Sequence, residues 1–271
     1  MRTPRRRRLL WTAFTALALL ALVLWLRPAP EPRYQGQTLD EWLESYPAGL
    51  NRDREHFHQA VVALGSNSIP FYVRELAAED NFVARRFWAG VEARGWTRRH
   101  HWEAGARQFY ASIYFHLMGA QGAPAAPEIL RLLRDPKLTP DARCWVAAAL
   151  GGIGPAAAPA VPDLARLLDT CPDPDIRFRV AWALGQIAAQ PAVAVPALCR
   201  ALEAQETQVL ANAASALGAY GTNAVAALPR LRTLAAAPAT NAPAESGGPR
   251  ALRNAAQKAM RQIETAPVPP P

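Results

Sequence analysis

A chain of 271 residues that is 51% apolar and carries 25 prolines but only three cysteines (Cys144, Cys171 and Cys199) can bury a large core and excludes a disulfide-built scaffold. Its formal charge of +8 would ordinarily point to nucleic acid, yet six of the 30 basic residues flank one apolar segment, leaving 24 against 22 acids over residues 28–271. The body is nearly neutral, and nucleic acid is not among its expected partners.

Residues 1–8 are a basic n-region holding Arg2, Arg5, Arg6, Arg7 and Arg8. Leu9 to Leu26 follow without a charge, and as a helix these 18 residues would span roughly 27 Å, close to the hydrocarbon thickness of a bilayer. We expect a transmembrane signal anchor over 9–26. Five arginines before it and Arg27 after it place the N-terminus in the cytoplasm and the rest across the membrane. A cleaved signal peptide is the rival reading. The exit "LWLRPAPEPR", however, sets arginine and prolines where a small-residue cleavage site should stand. A loose twin-arginine export pattern is matched too, as any run of four arginines would match it.

Residues 27–50 read as a linker with one short helix, because Thr38 and Glu41 in "YQGQTLDEWLESY" have the spacing of a capping box. Residues 51–80 read as a degenerate repeat whose second helix opens at Pro70. An insertion, 81–107, carries six arginines against two glutamates, interleaved with Phe82, Phe87, Trp88, Trp96 and Trp102. Outside the cytoplasm such a segment suits an anionic lipid surface; the alternative is a cap helix with buried aromatics and solvated arginines.

From 108 to 263 the chain repeats itself. "ALGGIGPAAAPAVP" (149–162) returns as "ALGQIAAQPAVAVP" (183–196) and "ALGAYGTNAVAALP" (216–229). The apolar columns fall at helical spacing: Ala142, Val146, Ala149, Leu150 and Ile153 correspond to Ile176, Val180, Ala183, Leu184 and Ile187, and then to Val209, Ala213, Ala216, Leu217 and Tyr220. Pro127, Pro162, Pro196 and Pro229, at steps of 35, 34 and 33, take the first-turn position of the second helix, where a missing N–H costs nothing. Apolar residues follow each proline at +2, +5 and +6. Helices this short cannot hide their apolar stripe alone, so each hairpin must bury it against the next. The fold expected is all-α, an α-α superhelix preceded by one transmembrane helix. "AAPATNAPAESGG" (236–248) is a flexible loop inside the last repeat, and 264–271 is a disordered proline-rich tail.

These repeats resemble HEAT repeats, in particular the bacterial HEAT-like branch that includes phycobilin lyases. "DIRFRVAWALGQIA" (175–188) is similar to that family's second helix and "VPALCRALEA" (195–204) to its first, with the likeness running over 117–263. The resemblance implies a ladder between repeats from an aspartate and an arginine, matched by Asp141 with Arg143 and Asp175 with Arg177; Gln208 and Leu210 interrupt it in the next repeat. The Tyr-x-Gly-x-x-Leu-x-x-Trp-Leu opening resembles that of bacterial membrane-anchored HEAT proteins.

Opposite the apolar stripe stand Trp145, Ala148 and Gly152, then Arg179, Trp182 and Gln186, then Asn212, Ser215 and Ala219, and last Lys258 and Gln262. If the resemblance holds, this face lines a concave groove. Tryptophan and arginine are the residue types that dominate protein-binding hot spots. The plainer alternative folds Trp145 and Trp182 over the neighbouring repeat as extra core. A second column, Arg74, Arg131, Arg166 and Arg200, suits either an acidic partner or simple solvation. For chemistry the material is thin. His56 and His58 point to different sides of a helix, and His100, His101 and Glu103 sit among arginines that repel a cation. No phosphate loop, nucleophile elbow or metal-ligand spacing appears. The expected protein is a membrane-anchored scaffold of the bacterial inner membrane, without cofactor, metal or catalytic activity, that holds a protein partner in its groove. A phycobilin-lyase-like enzyme or subunit and a purely structural envelope component are the alternatives.

Overall fold

The computed structural model describes residues 31–38, 41, 54–80, 82–94, 103–236 and 248–267, together with Phe14 and Leu17. These residues are helical throughout, apart from turns and one isolated bridge between Tyr34 and Gln37. The chain divides into a smaller unit, 1–31 with 80–101, and a larger one, 32–79 with 102–271. The expected anchor at 9–26, the 237–247 part of the loop and the end of the tail lie outside the described residues. Within the anchor segment, Phe14 and Leu17 are helical and two-thirds exposed.

In the smaller unit, α3 (Phe82–Ala93) presents Phe82 and Val83 to solvent, and Arg94 folds back to donate to the Gly90 carbonyl at 2.7 Å. Trp96 and Trp102 lie outside the described residues.

The larger unit opens with a tight turn through Gln35 and Gly36, both at positive φ, and then the capping box. The Thr38 N–H donates to Glu41 Oε2 at 2.8 Å, and the Glu41 N–H donates back to Thr38 Oγ1 at 3.4 Å. Helices α1 (Arg54–Leu64) and α2 (Ile69–Leu76) follow, the latter with Pro70 in its first turn. The repeats then alternate between two layers. One layer holds α4 (Ala104–Met118), α6 (Pro140–Ile153), α8 (Pro174–Ile187), α10 (Thr207–Ala219) and α12 (Pro249–Thr265). The other holds α2, α5 (Ala126–Leu133), α7 (Val161–Thr170), α9 (Pro191–Ala201) and α11 (Leu228–Ala236). Each member of the first layer packs along the next, and each is backed by a proline helix. α4 begins four residues before the expected start of the repeats at 108, and α12 runs two residues into the expected tail.

Local chemistry sets these boundaries. Thr139 caps α6 by accepting from the Ala142 N–H, and Asp173 caps α8 by accepting from the Asp175 N–H; a proline follows each cap. The first-layer helices stop at Gly119, Gly154 and Gly221, all at positive φ, and each glycine opens a seven-residue 3-10 turn leading to the next helix. The α8–α9 connection lacks that glycine. Ala188 and Gln190 adopt the left-handed conformation instead, and the helix restarts at Pro191. Pro196 therefore lies inside α9, not in its first turn as the repeat pattern suggested. The stretch that is a 3-10 turn in the sister repeats is here continuous with the helix.

Every residue of the fifteen-member apolar column, from Ala142 to Tyr220, is buried. Full burial of a leucine or isoleucine side chain contributes about 1.5–3 kcal/mol, so the stacking of hairpins supplies what the short helices lack. After the prolines, the +2 and +6 residues are buried in the first two repeats while Leu132 and Leu167 at +5 are only half-buried; Leu130 and Ala165 at +3 fill the seam instead. The glycine of the first two "ALG" runs is a packing requirement. A Cβ on Gly151 would come within 2.7 Å of Ala183 Cα, and one on Gly185 within 2.8 Å of Ala216 Cα. Consecutive first-layer helices thus meet glycine to alanine, backbone nearly on backbone.

Pro140–Thr170 is long and apolar enough to cross a membrane by length and composition. Gly154 breaks it into α6, a 3-10 turn and α7, whose Val146, Leu150, Leu164 and Leu168 pack the core.

Candidate functional site

The outer surface of α4, α6 and α8 encloses a cavity of about 220 Å³. α6 contributes Trp145 and Ala148, one turn apart, and α8 contributes Phe178, Arg179 and Trp182. The Arg179 guanidinium sits over the Trp145 ring, 3.8 Å from its centroid, with the Phe178 ring at 5.5 Å. Phe109 of α4 meets Trp145 edge-on at 5.0 Å, and the His116 ring lies 5.7 Å from that of Trp182.

Both tryptophans are half-buried. Trp182 reaches across to α6, since a Cβ on Gly151 would touch its ring at 2.8 Å. The absence of a side chain at Gly151 is what lets the indole lie down there. Each tryptophan therefore both widens the core and walls the cavity. Gly152, counted on the surface column in the sequence, is covered: a Cβ there would sit 2.6 Å from His116 Cα.

The remaining column residues lie farther along the same layer. Gln186, Ser215 and Lys258 are exposed on α8, α10 and α12, while half-buried Asn212 donates to the Gln208 carbonyl of its own helix at 3.0 Å. None of these four lines the cavity. Phe109, Ser112, Ile113 and Phe178 do line it and were not singled out from sequence; His116, noticed there only as one of five histidines, lines it too. Phe109, Ser112 and His116 precede Trp145, Ala148 and Gly152 by 36 residues, one more than the 35 that separate Pro127 from Pro162, so the proline register conceals them.

The ladder residues behave differently from the expectation drawn from the resemblance. Arg143 turns inward and donates to the carbonyls of Leu133, Asp135 and Leu138, closing its own hairpin. Arg177 reaches Glu206 of the next repeat at 3.4 Å. Asp141 and Asp175 occupy first turns of α6 and α8, where a carboxylate complements the helix dipole, and neither forms an ion pair among the described residues. Ties between repeats come instead from Arg134 with Asp163, Arg200 with Asp169 and Arg230 with Glu203, while Arg107 with Glu75 and Arg232 with Glu264 join the two layers. Of the second arginine column, Arg74 donates to the Pro70 carbonyl, and Arg131, Arg166 and Arg200 each meet an acid of this chain. That column is internally satisfied.

Arg179 is the contrast. No carboxylate among the described residues pairs with it, Asp175 one turn earlier included, and its Nε is buried without a hydrogen-bond partner. Beneath it lies Cys144, whose thiol burial pushes up to about 11, against the opposing pull of the guanidinium. The thiol is a neutral packing group at ordinary pH. Cys171 and Cys199 are free and half-buried. Among the described residues no three histidines, cysteines or carboxylates gather as a metal site, and His100 and His101 lie outside them.

Residues 161–242 match the family model for HEAT repeats. Over that stretch the chain carries HEAT-like repeats. That match is shorter than the 117–263 over which the sequence resembles the family, and the cavity draws most of its lining from helices ahead of it. Among solved structures, a crystal structure of an engineered protein is 18% identical over 84% of this chain and 96% of that one, with a TM-score of 0.44. No curated protein matches. HEAT repeats form helical scaffolds and generally mediate protein interactions.

Proposed function

We propose that this protein is a non-catalytic, membrane-anchored HEAT-repeat scaffold that holds a protein partner against the first-layer face, in its concave groove. The observation that carries the reading is Arg179 stacked on Trp145 beside Trp182, around an open cavity on an otherwise polar surface. Hot spots concentrate in such Trp and Arg clusters. Gln186, Asn212, Ser215 and Lys258 extend the surface along α8, α10 and α12. The phycobilin-lyase-like alternative fits less well: small-molecule sites usually enclose roughly 300–1,000 Å³, and a cavity of about 220 Å³ suits one or two side chains of a partner better than a tetrapyrrole.

The charge asymmetry around residues 9–26 supports an inner-membrane location with the N-terminus cytoplasmic and the repeats beyond the membrane, where Phe82 and Val83 of α3 are available to anionic lipid. Protease added to spheroplasts should digest the repeats while sparing them in intact cells; protection in both would remove the topology. Function is tested by crosslinking in membranes. Wild type should give one dominant adduct that a folded Trp145→Ala/Trp182→Ala variant loses. Equal recovery of that adduct by the double variant rejects the groove, and a smear from wild type favours the structural envelope component.

A further inference from the structure

The geometry points to a side-chain carboxylate, from an aspartate or glutamate flanked by an apolar residue in an extended segment of the partner, as the group that Arg179 takes. This rests on the groove reading of the preceding section and names what that groove selects. Arg179 is held, not free. Its guanidinium carbon sits 3.8 Å from the Trp145 ring centroid, and it is the charged group of a cavity otherwise walled largely by aromatic and aliphatic groups. Elsewhere in the repeats the arginines that reach across seams find acids of this chain, whereas Arg179 meets none. A carboxylate is the acceptor a planar guanidinium binds most strongly, through two parallel hydrogen bonds.

The choice of a side-chain rather than a C-terminal carboxylate follows from the walls. Capture of a chain terminus uses free backbone N–H groups. Here every lining residue lies inside α4, α6 or α8, past the first turn, where the N–H groups are spent on the helix. Phe109, Trp145, Phe178 and Trp182 offer the adjoining surface for one apolar side chain next to the acid.

The test uses the full-length protein in detergent and a library of random dodecapeptides, acetylated and amidated so that no terminal charge remains. Selected binders should carry Asp or Glu beside an aromatic or branched aliphatic residue. Replacing that acid by its amide, or making Arg179→Gln, should raise Kd about tenfold to hundredfold, as expected for a lost charge-assisted pair; Arg179→Lys, which keeps charge without the fork, should fall between. Circular dichroism of each variant establishes folding. Binders that depend on Trp145 and Trp182 but lack an acid, or a Kd within twofold for Arg179→Gln, would overturn the proposal and leave the groove standing. Binders indifferent to Trp145→Ala/Trp182→Ala, or no binders, would overturn both. Recovery of affinity by an amide-substituted peptide with a free C-terminus would show that a terminal carboxylate is the group selected, and the proposal would fail.

Discussion

The cavity half of the first layer, α4 with α6 and α8, and the polar half, α10 with α12, are built on one spacing and finished differently. Gly151 meets Ala183, Gly185 meets Ala216 and Gly218 meets Ala259, so the helices approach one another in the same manner across both halves. On the outer surface the first half carries two tryptophans, two phenylalanines and an unpaired arginine, whereas the second presents Asn212, Ser215 and Lys258. Packing columns must repeat because each hairpin is the template for the next; surface columns answer to no such constraint. Divergence between repeats on an invariant spacing is where specificity is expected.

The spacing itself is the first thing to break. In Gly185→Ala the new Cβ would lie 2.8 Å from both Ala216 Cα and Ala216 Cβ, neither of which can swing away. Overpacking of this kind costs about 1–3 kcal/mol, against about 1 kcal/mol gained from helix propensity, so a net loss of up to about 2 kcal/mol is expected. Gly218→Ala meets chiefly the mobile amide of Gln262, with Ala259 Cα at 3.0 Å, and gain and loss should nearly cancel. Denaturation midpoints of the two variants decide it. Equal shifts would mean that the approach at Gly185 is no tighter a constraint than the one at Gly218.

Between the halves lies the α8–α9 turn, the one helix-to-helix connection among the described residues that reaches positive φ without glycine. Its left-handed Ala188 is braced from the next repeat, because Tyr220 donates to the carbonyls of Leu184 at 3.0 Å and Ala189 at 3.1 Å. A left-handed non-glycine residue costs about 1–2 kcal/mol, and glycine returns part of that gain through its unfolded-state entropy. Ala188→Gly should therefore stabilise the protein by up to about 1 kcal/mol, seen as a higher melting temperature; an unchanged or lower one would mean that the turn is not strained.

The halves also differ in how far the sequence disclosed them. Periodicity reveals a helix and its buried face because burial is enforced residue by residue, and all fifteen column positions from Ala142 to Tyr220 were legible for that reason. The Trp145, Arg179 and Trp182 cluster was legible too, since a 34-residue step carries Trp145 to Arg179 and Ala148 to Trp182. What contributes from α4 was not, because Phe109 and His116 stand one residue out of the proline register. The path of α9 was hidden by its missing glycine: Ala188 in place of Gly154 signals nothing until the backbone is seen to turn left-handed there. The arginine partners were unreadable as well, since Arg143 satisfies carbonyls, and carbonyls leave no trace in side-chain spacing.

The smallest effects should come from the polar half, and they decide how far along the layer the binding surface extends. Asn212 is tied to the Gln208 carbonyl of its own helix at 3.0 Å, and Ser215 stands exposed. Where a few anchors hold most of an interface's energy, the contacts around them exclude water but contribute little singly. Asn212→Ala and Ser215→Ala should each leave stability within about 0.5 kcal/mol, and the dominant membrane crosslink should persist in both. Loss of that crosslink in either one, with folding intact, would move the centre of the site from Trp145 and Arg179 to α10. The aromatic cavity would then be reinforcement of the α6–α8 seam, and the comparison between the halves would be reversed.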